Sequence, residues 1–557
     1  MKLKYTHRLF ILQAVFILLI ILIWGQLFKL QVLKSEDLNS RAKKQFFKPT
    51  LQLRGDIRDR AGNLLALDII SYDLYNNVKD IKKLPEEKIS ILSGILKLSP
   101  ETLIKKLSER RNTKILSGIN EKQAREIENY RDIVYLVLKA TRAYPNKKMA
   151  SQIIGFVNND RIGQHGVELY YNSLITKPSE YDNINSFYQK GTNLALTIDS
   201  VLQEYSEEEL EKIVKSSKAN KGTIIALSPA SGEILAWAVY PGFDPNNFYR
   251  EKSIKNWAVT DIYEPGSTFK AITIASALEN MAIQKDSKFF DGGFLKVGKR
   301  TIKNHNKTKP QYLDLLELFK QSSNVASAQV GLKMKKEDFY NSIKKFMIGE
   351  RTDIDLPGES KGLLLPVNNW RLIDQATTAF GQGAVSLTPI QLAGAIGIIA
   401  NHGIWVQPHL LKGIWDLKYN IISNSPNQID TKEVISIDTA DFVSGLLKLN
   451  VKENLKAMAY LAGNVTGYEV AGKTGTAQKV RPDGMGYLPG HTVASFIGYL
   501  PADNPKILVL VIVDDPKTAG GWGNTVCGPV FNNVAKIAAK RFLKDLAQIK
   551  RSTNEKV

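Results

Sequence analysis

Ser267-Thr268-Phe269-Lys270 follows Pro265-Gly266 and opens an apolar stretch that includes Phe269, Ile272 and Ile274. Pro-Gly stops the preceding segment, so Ser267 falls where a helix can begin. There, free backbone N–H groups and the helix dipole favour negative charge developing beside the serine. Lys270, three residues on, shares the helical face and comes within reach of the hydroxyl. A hydroxyl is a poor nucleophile until a base takes its proton, and a desolvated lysine beside a second cation is neutral enough to do so. Alone the string means little. A capping serine ahead of a solvated lysine is common, and Ser40-Arg41-Ala42-Lys43 and Ser342-Ile343-Lys344-Lys345 have the same spacing.

Two strings downstream change the weight of the first. In Ser322-Ser323-Asn324, polar residues lead into the apolar Val325-Ala326, which predicts a loop or helix start. Helix capping is the plain alternative there, and S-x-N also fits Ser425 to Asn427 and Ser552 to Asn554. Beside a nucleophile, Ser322 can relay a proton between Lys270 and a leaving amine while Asn324 holds a substrate amide. Lys473-Thr474-Gly475 is the only K-T-G in the chain and lies among the small residues Ala471, Gly472 and Ala477. Small side chains on an extended segment let a peptide backbone lie alongside it and hydrogen-bond to it. Lys473 with the hydroxyls of Thr474 and Thr476 can hold a carboxylate, and the N–H groups of Thr476 and Ser267 can form an oxyanion hole beside Gly475. The alternative is an edge-strand lysine that deters aggregation. The order of the three strings fits one serine acyl-transfer site.

At 557 residues the chain is too long for a single core. Its 43% hydrophobic and 23% charged content is that of a globular protein. Leu9 to Phe28 carries no charge, and as a helix it matches the hydrocarbon thickness of a bilayer, about 30 Å. Lys2, Lys4 and Arg8 precede it, which places residues 1–8 as a cytoplasmic tail and sends everything beyond residue 28 outside. A cleaved signal peptide would show a small-residue site after Trp24-Gly25-Gln26-Leu27, and none follows. An uncleaved anchor over 9–28 is expected. Cys527 is the single cysteine, so no intrachain disulfide is possible and a buried thiol is expected. The net charge of +20 suits an anionic surface or a solvated face. The six histidines form no metal-ligand pattern, so neither metal nor cofactor is expected.

Beyond the anchor, residues 29–193 read as a Lys-rich stalk and a non-catalytic α+β pedestal, 194–545 as the catalytic domain and 546–557 as a tail. Gly222 to Leu227 and Glu233 to Val239 are apolar runs joined by Ser228-Pro229-Ala230-Ser231-Gly232, a hairpin signal. Thr492 to Leu500 and Ile507 to Val513, separated by Pro501 to Pro505, repeat the pattern. Tyr468 to Ala477 supplies a fifth strand. Helices over Ile274 to Met281 and Thr388 to Ala400 lie between the hairpins, so the sheet is closed by the C-terminal part of the chain.

These residues resemble class B penicillin-binding proteins, the monofunctional peptidoglycan D,D-transpeptidases, over nearly the whole chain. Arg54 to Asn63 is similar to the family's R-G-x-I-x-D-R-x-G pedestal segment, as are Arg142-Ala143-Tyr144-Pro145 and Gly166-Val167-Glu168 to later pedestal motifs. Thr197-Ile198-Asp199 resembles the start of the transpeptidase domain. Glu264 to Lys270 and Phe380-Gly381-Gln382-Gly383 with Leu387-Thr388-Pro389 are close matches, and Asp261-Ile262-Tyr263 looks most like the septal, FtsI type. Ala271 and Ile272 stand where the family often has proline soon after the lysine.

The resemblance implies a transpeptidase domain of the penicillin-binding and serine beta-lactamase type, with a five-stranded antiparallel sheet between helices. By it, Ser267 attacks the penultimate D-Ala carbonyl of a stem pentapeptide, releases D-Ala and passes the acyl group to a neighbouring stem's amine. Beta-lactams are trapped as slow acyl-enzymes. No glycosyltransferase signature precedes Ser267, so a membrane-embedded septal glycosyltransferase and other divisome proteins are the implied partners, with no nucleic acid. An elongation-specific transpeptidase is the nearest alternative, followed by a beta-lactamase or beta-lactam sensor and by a non-catalytic divisome scaffold.

Overall fold

The computed structural model describes residues 2–29, 51–78, 81, 84–177, 188–251, 253–305, 309–416, 421–424, 428–457, 462–481, 483–484 and 486–543. Most of the expected stalk, the tail, Ser40 to Lys43, Ser425 to Asn427 and Ser552 to Asn554 lie outside these residues. Two units are distinguished, Met1–Leu53 with Glu180–Lys190, and the remainder. The first contains a helix, Lys2–Phe28, and a parallel strand pair, Leu51–Leu53 with Tyr188–Lys190. Among the described residues no helix is long and apolar enough to cross a membrane.

In the second unit the hairpins expected from the sequence join into one antiparallel sheet, in the order Ala471–Val480, Tyr487–Leu500, Ile507–Asp514, Lys221–Leu227 and Ile234–Tyr240. The central strand, Ile-Leu-Val-Leu-Val-Ile-Val-Asp, is buried along its whole length. Successive side chains of a strand point to opposite faces. Leu508, Leu510 and Ile512 accordingly join Ile274, Ile396 and Val443 of helices Lys270–Glu279, Pro389–Ala400 and Ile437–Ala457 in one core. Ile507, Val509, Val511 and Val513 join Leu210 of helix Ser200–Ser216 and Val530 of helix Gly523–Phe542 in the other. Helix Pro389–Ala400 is buried on all sides and starts at a capping box between Thr388 and Gln391, the signature of a helix meant for a core.

The pedestal motifs meet in the fold. Glu168 is fully buried and takes Arg54 Nη2 at 2.5 Å on one oxygen and Arg142 Nε at 2.6 Å on the other. Asp68 accepts from Arg161 at 2.9 Å and from the Arg54 N–H at 2.8 Å. Burial alone would push Glu168 upward, but Arg142 and Arg54 together hold its carboxyl below the usual range. The turn of Asp59 to Asn63 is tied by Asp59, which accepts from the N–H groups of Ala61 and Asn63 at 2.9 and 2.8 Å and from Ser200 Oγ at 2.6 Å. Its docking surface is therefore the start of helix Ser200–Ser216 in the same chain. A second sheet crosses the expected boundary at residue 193. Leu194–Leu196 pairs with Ile57–Arg58 on one side and with Leu411–Asp416 on the other.

Candidate active site

Ser267 lies in a 3-10 turn, Gly266–Phe269, that runs directly into helix Lys270–Glu279. Phe269, Ala271 and Ile272 are fully buried, so the core anchors the helix and fixes the serine at its start. Gly266 donates its N–H to Gly381 O at 3.0 Å. A Cβ on Gly381, whose φ is +77°, would stand 2.3 Å from Gly266 O, which is why glycine recurs in that loop.

The S-x-N string occupies a bend between two helices, Leu315–Gln321 and Asn324–Lys333. The N-cap is Ser323, whose Oγ accepts from Ala326 N at 2.9 Å. Ser322 instead ends the preceding helix in the left-handed region, at φ 51°, a backbone state uncommon outside glycine. The bend directs its hydroxyl to Ser267, with 2.9 Å between the two Oγ atoms. Lys270 Nζ donates to Ser322 Oγ at 3.1 Å, Ser322 O at 2.5 Å and Asn324 Oδ1 at 2.9 Å. Sequence spacing suggests direct contact between Lys270 and Ser267, whereas the hydrogen-bonded path here runs through Ser322. Both hydroxyls are rotors that can donate in either direction, so the same chain can carry a proton from Ser267 to Lys270 or back.

Lys270 is fully buried. Burial above all, and then the nearby Lys473 cation, pull its ammonium well below the ordinary lysine value, while Asp291 pulls weakly the other way. Lys473 is itself lowered to about 8 by burial. At 3% exposure it is not a solvated edge lysine. Its strand, Ala471–Val480, is paired on one side only and lies against the serine turn. A Cβ on Gly475 would stand 2.4 Å from Ser495 Oγ and 3.1 Å from Pro265 O, so only glycine allows that approach. Lys473 Nζ donates to Thr474 Oγ1 at 3.3 Å, and Thr476 Oγ1 accepts from Gly523 N at 3.1 Å, leaving the Thr476 hydroxyl proton to donate. The look-alike Ser342 lies inside helix Lys336–Lys345, where Asn280 Nδ2 donates to it at 2.8 Å.

Several neighbours carry no role in the three strings. Glu264 is buried and accepts from Gly383 N at 2.9 Å, Tyr487 OH at 2.9 Å and Gln382 Nε2 at 3.1 Å. This joins the segment before Ser267 to the Phe380–Gly383 loop. The His305 and Trp522 rings meet edge-on with centroids 4.3 Å apart, linking the segment beside Asn304 to the one beside Gly523.

A buried lysine coupled through a hydroxyl to a serine at a helix start, beside an open strand edge, is apparatus for serine acyl transfer. Comparison with known proteins agrees. Residues 222–536 match the family described as penicillin binding protein transpeptidase domain, and residues 49–186 match the penicillin-binding protein dimerisation domain. Stage V sporulation protein D of Bacillus subtilis (strain 168) is 32% identical over 536 residues, covering 91% of this chain and 81% of that protein. A peptidoglycan D,D-transpeptidase FtsI homolog of Mesostigma viride is 31% identical, covering 92% of each. A crystal structure of a peptidoglycan synthetase from Bifidobacterium adolescentis ATCC 15703 has a TM-score of 0.72 at 25% identity, covering 89% of this chain and 96% of that one. The chain belongs to the penicillin-binding protein family, as a class B transpeptidase of FtsI-like type.

Proposed function

We propose that this transpeptidase cross-links stem peptides with Ser267 as its nucleophile. The observation that carries the reading is the hydrogen-bonded chain from Ser267 Oγ through Ser322 Oγ to the buried Lys270. Ser267 Oγ attacks the penultimate D-Ala carbonyl while its proton passes by way of Ser322 to a neutral Lys270. The N–H groups of Ser267 and Thr476 take the developing oxyanion. Collapse of the tetrahedral adduct breaks the D-Ala–D-Ala bond, and Lys270 returns the proton through Ser322 to the leaving amine. A neighbouring stem's amine then attacks the ester, its proton goes to the same base, and Ser267 leaves reprotonated. Asn324 and the strand edge from Lys473 to Thr476 hold the donor peptide, and Lys473, Thr474 and Thr476 hold its carboxylate. Beta-lactams present the same carbonyl and carboxylate and remain on Ser267. Peptide mapping after labelling with a fluorescent penicillin should place the adduct on Ser267. An adduct on Ser342 would reassign the nucleophile.

The site of action is the division septum, an assignment supported by Asp261-Ile262-Tyr263 and by the FtsI naming of the Mesostigma relative. Residues 9–28 anchor the chain in the inner membrane with the N-terminus cytoplasmic and the pedestal (29–193) and transpeptidase domain (194–545) outside. Although no helix among the described residues is long and apolar enough to cross a membrane, the uncharged run Leu9 to Phe28 and the exposed Phe16, Ile20, Ile23 and Trp24 support the anchor. A membrane-embedded septal glycosyltransferase and other divisome proteins are its partners there. Cells depleted of the protein should grow as filaments, whereas rounded cells would place it in elongation.

Lys473→Gln keeps a hydrogen-bonding group but removes the charge that helps lower Lys270. Lys270 then protonates more readily, so the acid limb of the acylation profile should move to higher pH. Carboxylate-bearing beta-lactams should lose more affinity than their uncharged esters. If limb and discrimination both stay as in the parent, Lys473 has neither task.

A further inference from the structure

Asp291 ends a short strand, Phe289–Asp291, that pairs with Gln311–Leu313. Its carboxylate is fully buried and accepts from Asn304 Nδ2 at 2.7 Å, Ser323 Oγ at 2.6 Å and Gly293 N at 2.8 Å. Asn304 Oδ1 accepts in turn from the N–H groups of Asn324 and Val325, at 2.9 and 3.1 Å. The first N–H groups of a helix have no partner within it. Here Asn304 takes two of them and Ser323 takes that of Ala326. A buried carboxylate thus holds both capping side chains, and both hold the start of the helix that carries Asn324. Immediately before lies Ser322 with its left-handed backbone, a conformation that persists only where its surroundings enforce it.

Resting on the reading of Ser267 as nucleophile, we infer that Asp291 and Asn304 are positioning residues of the acyl-transfer site, clamping the Ser322–Asn324 bend against Lys270 and setting the charge balance around its amine. The two residues divide this work. Asn304 is neutral and acts through geometry alone. Asp291 acts through geometry and charge, for after burial the charged groups acting on Lys270 are Lys473, from the strand edge, and Asp291, from strand Phe289–Asp291. Asp291 opposes the other two.

The two roles separate in the pH dependence of acylation by a fluorescent penicillin, measured on folded, full-length protein. Asn304→Ala should lower the plateau by about ten- to a hundredfold, the scale of a misplacement near 1 Å, and leave the acid limb where it was. Asp291→Asn removes a charge that raises Lys270, so Lys270 stays neutral further into acid and the limb should move to lower pH. A purely structural role for Asp291 would lower the rate without moving the limb and would overturn the charge assignment. Parent-like plateaus in both variants would overturn the clamp. Where Asn304→Ala does not fold, the near-isosteric Asp291→Asn decides by its limb alone. A parent protein not labelled at Ser267 would remove the functional reading itself, whereas a labelled parent with unaffected variants would remove only this inference.

Discussion

Lys270→Arg is expected to slow acylation by at least about a hundredfold, the low end for loss of a general base, equivalent to about 2.7 kcal/mol of barrier. The substitution retains a cation and hydrogen-bond donors for Ser322 and Asn324, the partners of Lys270 Nζ. It removes basicity, because a guanidinium does not deprotonate near neutral pH. Burial and Lys473 pull the lysine well below its ordinary value, but the same surroundings cannot deprotonate arginine. The loss should fall on the chemical step, with the affinity of the initial non-covalent complex nearly kept. Residual acylation should also lose the acid limb assigned to Lys270. Stopped-flow acylation across a pH series measures both. A normal rate in this variant would mean that another group activates Ser267.

What the sequence made legible follows from distance along the chain. Ser267 and Lys270 are three residues apart at one helix start, so their nearness was readable, whereas their link through the distant Ser322 was not. The sheet was readable because Ile507 to Val513 is apolar at every position, and the observed hairpins fall within a few residues of their expected places. The Lys473 strand begins at Ala471 and not near Tyr468, and runs on to Val480. Small residues set its character but not its register, which comes from pairing with Tyr487–Leu500. The left-handed Ser322 could not be read, because nothing local favours it and its enforcing groups, Asn304 and Asp291, lie 18 and 31 residues before it in the chain. Glu264 and Gln382 each lay in a string matched to the family, yet their hydrogen bond exists only once the chain is folded. The same holds for Arg54, Arg142 and Glu168, which were legible as three separate motifs and meet as one ion cluster.

That cluster yields the second large effect, on stability. Removing one partner of a buried ion pair leaves the other charge uncompensated in a poor dielectric and typically costs about 3–5 kcal/mol. Glu168 is the centre of the group, bonded to Arg54 and Arg142, both at 6% exposure or less. Glu168→Ala therefore leaves Arg54 without its carboxylate and Arg142 with Asp68 alone, at 3.3 Å, and arginine cannot shed its charge as a buried lysine can. The variant should lose stability within that range and show a lower denaturant midpoint. Glu168→Gln, which can still accept from one arginine, should lose less. Glu121→Ala breaks an equally short but exposed pair with Arg125 and should not move the midpoint measurably, since solvent already compensates both groups. Because Arg54 lies on the segment that leads into the turn that Asp59 docks onto Ser200, the Glu168→Ala defect should reach the transpeptidase part as lower thermal resistance of penicillin labelling. A Glu168→Ala protein as stable as the parent would show that the arginines find solvent or other partners, and that the convergence of the three pedestal motifs does not hold the fold together.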